Sequence, residues 1–127
     1  MIGPLKIKLQ LVCGDEFAMG PGKADLLETI AREGSISAAG RAMGMSYRRT
    51  WLLVDTMNRC WSEPLVETTA GGGRHRGARL TECGKAVLSD YRALEASIAK
   101  AVMPEKGKTK PLEKLAKRLR DKALSSQ

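Results

Sequence analysis

Two short stretches of this chain concentrate side chains that could hold a polyanion. The first is Ser46-Tyr47-Arg48-Arg49-Thr50. The second is Gly71-Gly72-Gly73-Arg74-His75-Arg76-Gly77, followed closely by Arg79. Arginine presents a planar fork of donors that grips phosphate, or the acceptor edge of guanine, through two parallel hydrogen bonds. Glycine lets a backbone approach a phosphate or enter a narrow groove. The glycine run is not a nucleotide-cradling loop, because no Lys-Ser ending and no helix follow it.

Other reactive groups are few. Cys13, Cys60 and Cys83 are odd in number and widely spaced, with no CxxC pair. They read as small core residues in a reducing compartment, not as a disulfide framework or zinc site. His75 is the lone histidine, so a metal centre is not expected. No paired carboxylates or Ser/His/Asp set occurs at a telling spacing, so the reading is of a protein that is no enzyme and needs no cofactor.

Net charge is +8 over 127 residues, which favours an acidic partner such as nucleic acid or an anionic membrane surface. Charge alone does not choose between them. No stretch reaches the length of a membrane span and no leader is evident, so a cytoplasmic protein without membrane contact is expected. Hydrophobic residues are 43% and charged residues 28%, the balance of an ordinary globular domain.

The elements that position the two clusters follow from periodicity. Leu5, Ile7, Leu9 and Leu11 alternate with polar residues, predicting a strand that ends at Gly14-Asp15. Pro21 suits the first turn of a helix running to Glu33, with Leu27, Ile30 and Ala31 on its buried face and Gly34 closing it. Ser35 or Ser37 caps a short helix from Ala38 to Met43, whose small residues allow close approach of a neighbour. Gly44 ends it, and Ser46 caps a third helix from Tyr47 to Trp61 with Trp51, Val54 and Asn58 on one face. Arg48 and Arg49 crowd the positive end of that helix, which is locally unfavourable and calls for an external anion.

Residues 65–69 and 78–81 read as a hairpin with a basic tip. Thr81 then caps a helix to Met103, stopped by Pro104. Val87, Tyr91, Leu94, Ile98 and Ala101 form a heptad-like seam along it, predicting a homodimer. Beyond it lies a basic tail that could be a short amphipathic helix or a mostly unstructured segment. The expected organisation is therefore residues 1–103 as one domain and 104–127 as the tail.

This order resembles a winged helix-turn-helix: mainly α, with a small β wing and a long C-terminal dimerisation helix. The stretch from Gly34 to Trp51, the Leu65-Val66-Glu67 run, the glycine-arginine loop and Leu80-Thr81-Glu82-Cys83-Gly84 are similar to ModE-type regulators, and more loosely to LysR-type domains. The resemblance implies a dimeric DNA-binding transcriptional regulator. Its third helix would enter the major groove, and its wing would lie on the minor groove or backbone. The expected DNA-facing residues are Ser35, Ser37, Ser46, Tyr47, Arg48, Arg49, Thr50, Arg74, His75, Arg76 and Arg79. Trp51 and Trp61 are expected in the core. Full-length ModE proteins add C-terminal domains that sense molybdate. Fewer than thirty residues follow Val102, so molybdate or another oxyanion is not an expected partner. The alternative is a scaffold of the same shape that binds a protein or structured RNA without reading an operator.

Overall fold

The computed structural model describes residues 5–69, 77–104 and 106–120. The polypeptide divides into two units, one spanning Leu9–Tyr91 and the other containing the described residues before Leu9 and from Arg92 onward.

The first unit opens with a hairpin of β1 (Leu11–Cys13) and β2 (Glu16–Met19). Cys13 pairs with Glu16, leaving Gly14-Asp15 as a two-residue turn with Gly14 at φ +61°. Glycine at the first central position is what a hairpin turn of this length requires. The alternating run Leu5–Leu11 is therefore not the expected strand. Only its last residue enters β1, and Ile7 is 49% exposed. Alternation supplied strand propensity, but the tight turn supplied the pairing partner.

Helix α1 (Pro21–Glu33) has proline in its first turn and ends at Gly34, φ +78°. Ala24, Leu26, Leu27, Thr29 and Ile30 are buried, whereas Ala31 is exposed. The inward face is thus rotated toward Leu26 from the one expected. Helix α2 (Ile36–Ala42) begins two residues earlier than expected, because Ser35 and not Ser37 is its cap, accepting the Ala38 N–H at 3.0 Å. Gly44, φ +70°, reverses the chain, and the Ser46 hydroxyl caps α3 (Tyr47–Cys60) by accepting the Arg49 N–H at 3.1 Å.

The crossing of α2 and α3 explains the small residues between Ala38 and Ala42. A Cβ on Gly40 would collide with the Thr50 side chain. Thr50, Val54 and Met57 form the buried face of α3. Leu65, Val66, Ala78 and Leu80 join them in one core with α1 and β2.

Strands β3 (Val66–Thr68) and β4 (Ala78–Leu80) pair antiparallel, Val66 opposite Leu80 and Glu67 opposite Arg79. The outer edge of β4 is also held: Ala78 N–H donates to the Gly34 carbonyl at 2.8 Å. Thr81 then starts α4 (Glu82–Val102). Its hydroxyl accepts the Gly84 N–H at 2.9 Å and donates to the Pro64 carbonyl at 2.7 Å. Gly84 packs so closely on the Leu65 carbonyl that no side chain fits. The Leu-Thr-x-x-Gly sequence thus combines a helix cap with a strand contact.

In the second unit, Leu94, Ile98 and Ala101 recur along α4 from Arg92 onward, with Leu94 at 41% exposure. A short α5 (Pro111–Ala116) follows, its Glu113 carboxylate accepting the Lys110 N–H at 3.2 Å. Of the two readings of the tail, the described part is helical at these six residues. Among the described residues, no helix is long and apolar enough to cross a membrane.

Candidate nucleic-acid interface

Helix α3 has one face committed to the core and the opposite face open. Tyr47 is 63% exposed and Leu52 56% exposed. Arg48 and Arg49 are exposed in the first turn. Neither has an ion-pair partner among the described residues, although four other arginines of the chain do have one. Two unpaired cations beside the positive end of a helix repel each other and the helix dipole. An incoming anion relieves both.

Ser46 is exposed at the same end. Its oxygen serves the cap, while its hydroxyl proton remains a donor. Tyr47 is held by an edge-on contact with Trp51, centroids 6.1 Å apart at 68°, a favourable aromatic geometry. Trp51 and Trp61 pack against the core as expected. The Trp61 indole donates to the Ala18 carbonyl at 3.1 Å, whereas the Trp51 indole nitrogen is buried with no partner among the described residues.

Thr50 does not belong with these residues. It is fully buried and its hydroxyl donates to the Ser46 carbonyl at 2.8 Å. The expected DNA contact is replaced by packing against Gly40, because residue 50 lies four positions before Val54 on the core stripe.

Farther along α3, Arg59 donates to Asp55 at 3.0 Å and to Glu16 on β2 at 3.4 Å. The hydrogen bond and charge of Asp55, followed by those of Glu16, hold the Arg59 pKa above its ordinary value. The Arg59 guanidinium neutralises the Asp55 carboxylate on the open face.

Asn58 connects this helix to the wing. Its amide oxygen accepts N–H groups from Leu65 at 2.9 Å and Val66 at 3.0 Å, and its amide nitrogen donates to the Val66 carbonyl at 3.1 Å. Sequence periodicity placed Asn58 on a packed face but did not reveal this role. Buried main-chain groups must find partners, and only a side chain with both donor and acceptor serves both sides of one residue.

Arg79 faces its cross-strand neighbour Glu67 at 2.6 Å, with 70% of its side chain exposed. Its guanidinium is half of an ion pair. Arg74, His75 and Arg76 lie outside the described residues. Ser35 and Ser37 are half-buried at the start of α2.

The expected dimerisation seam separates into two parts. Tyr91 is 2% exposed, and its hydroxyl donates to the Leu9 carbonyl at 2.8 Å within the first unit. It is a core residue of the protomer, not a seam residue. Val87 is half-buried against the same core. Leu94 and Ala101 are exposed and Ile98 is half-buried.

Three helices, the last presenting an open basic turn, followed by a two-stranded wing and a long helix, define a winged helix-turn-helix domain. Residues 23–85 match the family described as bacterial regulatory helix-turn-helix protein, lysR family. The chain is 38% identical over 99 residues to the molybdenum-pterin-binding protein MopA of Rhodobacter capsulatus, covering 78% of this chain and 37% of the relative. It is 44% identical over 78 residues to the molybdenum transport protein ModE of Azotobacter vinelandii, covering 61% and 29%. It is 34% identical over 89 residues to the DNA-binding transcriptional dual regulator ModE of Escherichia coli K12, covering 70% and 34%. These similarities fit a ModE-type DNA-binding domain. The chain spans about a third of the length of these curated relatives.

Proposed function

We propose that this protein regulates transcription by binding duplex DNA as a homodimer. The observation that carries the reading is the pair Arg48 and Arg49, exposed and without ion-pair partners among the described residues, on the opening turn of a helix whose opposite face is core. The major groove admits one α-helix, and its guanine edges accept an arginine fork. Tyr47 and Ser46 extend the same contact. Arg74 and Arg76, with His75 between them, supply the wing contact to the minor groove or backbone. Arg79 accompanies them from β4.

Dimerisation uses Leu94, Ile98 and Ala101 on α4, whose spacing suits a second copy of the same helix. A two-fold protein sets two α3 helices in successive major grooves, about one helical turn apart. The name of the Escherichia coli relative supports the regulatory reading.

The test is selection of duplexes from a random pool with purified protein, followed by affinity measurements over a salt series. Enrichment of a near-palindromic site, with affinity falling steeply as salt rises, is the expected result. Indifference to duplex DNA at low ionic strength would refute the proposal.

A further inference from the structure

An open cleft of about 460 Å³ lies on the outward side of α3, lined by Tyr47, Arg48, Trp51, Leu52 and Asp55. Its walls are mainly apolar. Resting on the DNA-binding reading above, we infer that this cleft takes the C5-methyl groups of thymines in the major groove, and that Leu52 is a sequence-determining residue alongside Arg48 and Arg49.

The reasoning starts from an anomaly. Leu52 is 56% exposed at the centre of the open face, and Tyr47 beside the same cleft is 63% exposed. Exposed apolar side chains scattered singly need no explanation, but two flanking one cleft on a face that carries Arg48 and Asp55 do. Sequence recognition of thymine depends on such groups, because its methyl is the one apolar feature a base pair offers in the major groove.

Three features of the cleft fit that occupant. Residues 47 and 52 are five positions apart, about 7.5 Å along the helix axis, on the scale of two base-pair steps. The contact of Tyr47 with Trp51 limits the motion of the tyrosine ring, so a methyl meets a preformed wall. Asp55 at the lip would repel phosphates, but Arg59 is bound to it at 3.0 Å. Arg48 on the rim brings the positive charge that a nucleic acid requires. A hydrophobic protein partner would find this apolar surface bordered by Arg48, whose charge desolvates at a cost.

The experiment removes single methyl groups from the DNA. A duplex site is first selected from a random pool with the full chain. Each thymine is then replaced in turn by deoxyuridine, and affinity is measured for the unaltered protein and for Leu52→Ala. At one or two positions, methyl removal is expected to weaken binding about fourfold, the value of one buried methyl-sized group. Leu52→Ala, a change at an exposed site, is expected to bind the methylated and demethylated duplexes equally at one of those positions. Circular dichroism verifies its fold.

A selected site indifferent to every deoxyuridine replacement overturns the inference while leaving DNA binding intact. Methyl effects that persist unchanged in Leu52→Ala also overturn it, by placing the contact elsewhere. Failure to select any sequence overturns the inference together with the reading on which it rests.

Discussion

The side chain of Asn58 holds both main-chain polar groups of Val66, accepting its N–H at 3.0 Å and donating to its carbonyl at 3.1 Å. A third bond, from Leu65 N–H at 2.9 Å, completes the clamp. Helix α3 and the first wing strand are thereby fixed to each other eight residues apart. Replacing Asn58 by Ala leaves two half-buried or buried N–H donors without their acceptor. A loss of about 2–4 kcal/mol is expected. Urea denaturation should show a lower midpoint with an unchanged slope.

Two glycines are expected to resist substitution for packing reasons. Gly84→Ala drives a methyl into the Leu65 carbonyl, a backbone atom tied into the Thr81 N–H bond. The change should cost about 1–3 kcal/mol. Gly40→Ala meets the Thr50 side chain instead, so the double variant Gly40→Ala/Thr50→Ala should recover part of the loss. Thermal melts of the four proteins in that cycle measure the coupling.

The arginines of α3 should separate from the buried threonine in their effects on DNA. Arg48→Ala and Arg49→Ala are expected to leave stability nearly unchanged and to weaken binding to the selected site by about 1–3 kcal/mol where a base is read. Thr50→Ala should do the reverse, lowering stability with little change in the salt slope of binding. Equal footprints for both arginine variants and the parent protein would remove α3 from the groove.

Along α4, the seam residues should divide in the same way. Leu94→Glu and Ile98→Glu are expected to shift sedimentation equilibrium toward the monomer by placing a charge in an apolar contact. Tyr91→Phe should leave the oligomeric state unchanged and lower stability by about 1 kcal/mol, the value of its bond to Leu9. A monomeric Tyr91→Phe protein would return that residue to the interface.

Much of this architecture was written locally. Ser46, Gly34, Gly44, Pro21 and Thr81 mark helix ends through caps and backbone conformations that involve only a few neighbouring residues. Their positions could be read directly, and with them the order of helices and wing. Arg48 and Arg49 were legible because a helix start is a local feature and their charge conflicts with it.

What the tertiary structure decided is which side of each element faces inward, and who meets whom across the chain. Thr50 looked like part of the basic turn but lies on the core stripe opposite Gly40. Tyr91 fitted a seam but bonds to Leu9, 82 positions away. Ile7 had strand spacing, yet the Gly14 turn gave the pairing to Leu11–Cys13. Propensity and periodicity act over a few residues, whereas burial is set by partners brought together from distant positions, and no local pattern names them.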